Sequence, residues 1–114
     1  MPTVEPISAE ETCTQYSNTT GTLLYNAWNQ FNLGITTDAE RESAIADAHA
    51  KLQLVEVEPG SELETDLRAL REFAVNDLPR DFGVGTDWGT AEAALAATCT
   101  ESGTELFVNA WNGG

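Results

Sequence analysis

Cys13 and Cys99 are the only cysteines of the chain and stand near its opposite ends, so the chemistry open to them is one long-range disulfide. Such a bond persists in oxidising surroundings, which places the protein outside the reducing cytoplasm, extracellular or in the cell envelope. The two lack Cys-x-x-Cys spacing, so the bond reads as a structural staple and not as a redox centre. His49 is the single histidine, and an imidazole is a side chain suited to general-base work or haem ligation. It has no serine elbow, no second histidine and no Glu-x-x-His partner, and it reads as a half-exposed helix residue. Asp77, Asp81 and Asp87 flank a glycine-containing loop, but their spacing departs from Asp-x-Asp-x-Asp-Gly and the closing glutamate is missing, so calcium is not expected. Glu56, Glu58, Glu62 and Glu64 crowd another connection; paired carboxylates can hydrolyse glycosides, yet a solvated acidic loop is the plainer reading. No catalytic set, metal site or cofactor is expected from these residues.

Charge narrows the partners. Nineteen acids face five bases for a net charge of −14, and all five bases fall between Arg41 and Arg80. Phosphate backbones and anionic lipid surfaces repel such a chain, which excludes nucleic acid as a partner. No run of 18 apolar residues exists to span a membrane. Met1–Ser8 carries neither a basic n-region nor an apolar h-region, so an exported protein would have lost its leader. Residues 1–7, with Pro2 and Pro6, read as a flexible tether, lipid-anchored if the processed leader carried a lipobox; residues 8–114 read as one helical domain.

The elements that position these residues announce themselves by their caps. Ser8–Glu11, Thr37–Glu40 and Ser61–Glu64 each place a hydroxyl and a carboxylate three apart before an apolar run, the pattern of a capping box. The first helix is predicted from about Ala9 to Asn32, ending at Gly34. Its Cys13, Tyr16, Thr20, Leu23, Leu24, Ala27, Trp28 and Phe31 share an arc of roughly 140°, and Gly21 weakens its middle. A second helix is predicted over 38–54, with Ile45, Ala48 and Leu52 inward, and a third over 62–78, stopped by Pro79. Asp87 or Thr86 caps a fourth through about Ser102, with Trp88, Ala91, Leu95 and Cys99 on one side. The tail from Glu105 to Trp111 is apolar and β-prone, suited to an extended strap or a short helical turn. The fold class expected is all-α: an antiparallel four-helix bundle with one disulfide joining the first and last helices. Closing a loop of roughly 85–90 residues stabilises by about 4–5 kcal/mol in the chain-entropy picture.

The layout of Cys13-Thr-Gln-Tyr16 early in helix one, alanine-rich helices, and Ala96-Ala97-Thr98-Cys99 before Gly103 resembles small actinobacterial secreted proteins and lipoproteins. That resemblance implies a short, all-helical, disulfide-linked domain without assigned activity. More distantly the chain is similar to mycobacterial haemophore-like domains, which bind haem through a tyrosine or histidine in a pocket. Here Tyr16, Tyr25 and His49 are the residues such a role would use. The functional expectation is a non-enzymatic exported domain serving as an interaction or cell-envelope module, its partner protein unidentified. The alternative is a carrier for haem or another small apolar molecule, drawn from nine aromatic residues and the apolar tail from Leu106 to Trp111.

Overall fold

The computed structural model describes residues 7–80 and 85–108, and every regular element among them is helical. Residues 1–6 of the expected 1–7 tether, Asp81, and the chain from residue 109 through Trp111 to the end lie outside the described residues.

Each helix starts where a side chain can satisfy an orphan amide. Ser8 accepts from the Glu11 amide to open α1 (Ala9–Tyr16). Thr37 and Glu40 exchange both bonds of a capping box, at 3.2 and 3.0 Å, to open α3 (Asp38–Leu52). Ser61 accepts from the Glu64 amide to open α4 (Glu62–Arg71), while the Glu64 carboxylate reaches the Gly60 amide instead of its own cap. Thr86, not Asp87, caps α5 (Asp87–Glu101). Gly34 and Gly103 end α2 (Thr22–Asn32) and α5 in the left-handed region, each closed by a six-to-one bond: Ile35 to the Gln30 carbonyl and Thr104 to the Cys99 carbonyl.

The first helical stretch departs from the expected regular helix. Ser17–Gly21 forms a single π turn between α1 and α2, with all junction residues keeping right-handed helical dihedrals. The cause lies in the apolar spacing. Tyr16, Thr20, Leu24 and Trp28 are all buried. Four-residue steps drift by about 40° each around an α-helix, so a regular helix would rotate part of this row out of the core. A wider turn cancels that drift. Thr22 Oγ1 donates to the Ser17 carbonyl at 2.6 Å and Thr19 Oγ1 to the Gln15 carbonyl at 2.7 Å, serving carbonyls the wider turn loosens.

Two expected helix ends also move. The second stops at Leu52, followed by three-residue turns through Val55, whose side chain is buried. The Arg71 guanidinium donates to the carbonyls of Leu52 (3.1 Å) and Val55, satisfying α3's free end from the last turn of α4. The third stops at Arg71 instead of running to Leu78. Ala74 turns extended, Val75–Asp77 makes one short 3₁₀ turn, and Leu78 is extended before Pro79. Val-Asn-Asp is a weak helix former. The break lets Phe73 meet Trp88 edge to face at 5.6 Å, while Leu78 enters the core.

Packing follows the pairs α2 with α3, α4 with α5, and α1 with α5, the π turn also lying on α3. Cys13 and Cys99 are bonded and fully buried, their Cα atoms 6.0 Å apart. Polar links add register. Thr12 Oγ1 donates to the Glu56 carbonyl at 2.8 Å, Trp28 Nε1 to the Pro79 carbonyl at 2.8 Å, and Thr98 Oγ1 to Asp66 at 2.6 Å.

Candidate functional site

A groove of about 480 Å³ lies where the π turn and α2 face α5. One wall carries Leu24, Tyr25 and Trp28 from α2; the other is the small-residue face of α5, Gly89, Ala93 and Ala96. Small residues are what open the space, because a leucine at either alanine would fill it. Along one side runs the extended segment after α5, contributing Leu106, Phe107 and Val108. A hydrogen bond ties that strap to the π turn: the Phe107 amide donates to Ser17 Oγ at 3.0 Å. Ser17 is fully buried, so its hydroxyl finds this acceptor role only because the strap is there. Phe107 and Val108 nevertheless stay 41 % exposed, an apolar rim open to solvent.

One ionisable pair lies in this apolar surface. The Tyr16 hydroxyl, from the last residue of α1, donates to Glu92 Oε2 on α5. Burial pushes the Tyr16 hydroxyl well above the usual phenol range, and the neighbouring Glu92 charge pushes the same way. Burial also raises the Glu92 carboxyl, opposed by the Tyr16 hydrogen bond and by the nearby Trp88 indole. That indole N–H lies near enough to favour the carboxylate but closes no hydrogen bond of ordinary geometry, leaving a buried donor unsatisfied. No lysine, arginine or second carboxylate lines the groove among the described residues. A carboxyl and a phenol alone offer proton chemistry at one point, without the second carboxylate that glycoside hydrolysis requires.

Of the three sequence-derived ligand candidates, Tyr16 and Tyr25 meet at this groove and His49 does not line it. His49 Nε2 is 2.9 Å from the Phe73 carbonyl, an acceptor, so that nitrogen holds its proton and joins α3 to the segment after α4. The other chemistry-bearing residues are spent on structure. Gln15 donates to Glu56 Oε1 at 3.2 Å and accepts from the Glu56 amide at 2.8 Å. Glu64 pairs with Arg68 at 3.3 Å. The described residues hold no cluster of three or more His, Cys, Asp or Glu able to bind a metal ion, and no helix is long and apolar enough to cross a membrane.

Glu92 on the groove wall and Ser17, which holds the strap beside it, are polar residues that sequence reasoning did not single out. Glu92 did leave a signal: it stands four after Trp88 and seven before Cys99, on the inward stripe of its helix. A charge on a core stripe marks either a buried pair or a site. Ser17 left none, since its partner is a backbone amide 90 residues away.

No protein-family model, no curated protein and no solved structure matches this chain.

Proposed function

We propose that this chain is a binding domain of an oxidising, extracytoplasmic setting, without catalysis of its own, that takes a small and largely apolar molecule into the α2–α5 groove. The observation that carries the reading is the groove itself, whose volume falls within the range of small-molecule sites and whose walls are apolar with one polar pair. The buried Cys13–Cys99 bond supports the setting, because it survives where thiols are not kept reduced. We further take the helices to close as an antiparallel four-helix bundle, the short α2–α3 turn forcing neighbours to run opposite ways.

An interaction module that docks a protein is less well supported. Leu33 and Ile35 before α3 and Leu54 after it are exposed, but the two sites sit beyond opposite ends of α3, about 22 Å apart along its axis, and make no continuous patch. Phe107 and Val108 instead gather at the groove. Haem through paired axial residues draws no support from the position of His49 outside the groove.

The test is titration with N-phenyl-1-naphthylamine, a neutral probe that fluoresces in apolar sites. Saturable binding of one equivalent is expected. Ala93→Phe, an exposed position on the groove wall, is expected to abolish it while leaving the helical circular dichroism unchanged. Absence of saturable binding, or binding that Ala93→Phe leaves intact, refutes the reading.

A further inference from the structure

The groove reading leaves one feature unused, the carboxyl at its side. We propose that the groove selects an amphipathic organic cation, an ammonium group carried on an apolar body, with Glu92 as the counter-charge. The inference rests on the binding-groove reading and names its ligand class.

Glu92 lines the cavity from α5 and is largely enclosed. Among the described residues its carboxylate accepts one hydrogen bond, from the Tyr16 hydroxyl, which is neutral and cannot cancel the charge. Among the described residues, the groups that face it come from four segments. α1 gives Tyr16, α5 gives the Trp88 indole, α2 gives Tyr25 and Trp28, and the strap gives apolar side chains only. The five bases of the chain are held elsewhere on the fold. Arg41 lies over the Phe31 ring at 3.7 Å and Arg80 clamps Glu42 at 2.6 and 2.8 Å. Arg71 holds the end of α3 and Arg68 pairs with Glu64, while Lys51 is exposed on α3 and does not line the groove. A carboxylate in apolar surroundings without a cation binds either a proton or a positive ligand.

Two further observations select the cation. Tyr25 and Trp28 put aromatic rings on the wall opposite α5, and ring faces attract ammonium groups, quaternary ones included. The chain's net charge of −14 gathers cations from solution and repels anions, so an apolar anion such as a fatty carboxylate is disfavoured at the same mouth. The rim of Phe107, Val108 and Leu106 would cover the apolar body of the ligand.

The experiment is displacement of N-phenyl-1-naphthylamine from the full chain by three competitors built on an eight-carbon chain: octyltrimethylammonium, 1-octanol and octanoate. The ammonium is expected to displace at a concentration about tenfold below octanol, with octanoate weakest. Glu92→Gln keeps the shape and the Tyr16 hydrogen bond and is expected to bring ammonium and octanol within about twofold. In the wild-type chain the preference is expected to grow as pH rises through the raised Glu92 titration, with proton release on ammonium binding. This pH profile needs no variant and stands if Glu92→Gln fails to fold. Equal displacement by ammonium and octanol in the wild type overturns the inference while leaving the groove reading in place. A tenfold preference that persists in folded Glu92→Gln, or is flat with pH, assigns it to net charge and also overturns the inference. If the probe itself does not bind, the groove reading falls and this inference with it.

Discussion

Replacing both cysteines, Cys13→Ala with Cys99→Ala, removes a crosslink between residues 86 positions apart while leaving no unpaired thiol in the core. The chain-entropy relation assigns a loop of that length about 15 cal/mol/K, which is about 4.6 kcal/mol at 25 °C. A chain of this length is stable by about 6–17 kcal/mol in total, so the loss takes a large share without necessarily unfolding it. Both sulfurs are fully buried, and their removal adds a packing cost in the same direction. The bond also has a local duty. It joins α1 one turn before Tyr16 to α5 two turns after Glu92, so it fixes the two sides of the Tyr16–Glu92 pair in the groove. Urea unfolding of the oxidised wild type and the double variant is the assay, read at the midpoint and slope. The midpoint is expected to fall by the equivalent of about 4–5 kcal/mol, and the slope to rise because the unlinked chain unfolds to a more expanded state. Affinity for the naphthylamine probe is expected to weaken in the still-folded variant. A loss under about 1.5 kcal/mol with an unchanged slope would refute the loop-entropy reasoning, showing that the unfolded chain is compact without the bond.

Four smaller perturbations test the rest of the account. Thr37→Ala removes the hydroxyl half of the capping box and is expected to cost about 1 kcal/mol in thermal or urea unfolding. Gly21→Ala is expected to stabilise by about 0.5–1 kcal/mol, because the residue is right-handed helical and a Cβ there meets Tyr16 and the Phe107 carbonyl at 3.5 and 3.8 Å, ordinary contact; destabilisation would mean that the π turn itself requires glycine. Glu42 is held below the usual carboxylate range by its hydrogen bonds to Arg80, so the pair's contribution is present above the ordinary glutamate value and lost as pH falls through the lowered one. Glu42→Gln should accordingly flatten the acid limb of stability against pH. Glu92 is raised, so the opposite sign holds: its folded-state preference is present below the ordinary value and lost as pH rises through the raised one. The stability of Glu92→Gln relative to wild type should therefore improve between those two values, and a difference that does not vary with pH contradicts the burial argument.

Local chemistry written in the sequence determined where the helices begin. Ser8, Thr37 and Ser61 each cap a helix where the sequence places them, though only Thr37 closes the full box with its glutamate, and Gly34 and Gly103 close the ends of α2 and α5. Cys13 and Cys99, both on apolar stripes and without competitors, made their own pairing legible. These features need only neighbours three to six residues away, or an elimination among two. What the sequence could not decide depends on residues far apart. The π turn at Ser17–Gly21 corrects a drift that matters only because Tyr16, Thr20, Leu24 and Trp28 must all face one core. The early end of α4 at Arg71 depends on the Phe73–Trp88 contact and on α3 carbonyls that an arginine can reach. The groove exists only where the alanine face of α5 meets α2 and the strap. Glu92 is an exposed-type residue by composition that tertiary contact encloses against Tyr16, 76 residues earlier. Caps and a lone cysteine pair are local or unique and can be read in one dimension; a cavity is the space that three separate segments leave between them, and only their packing creates it.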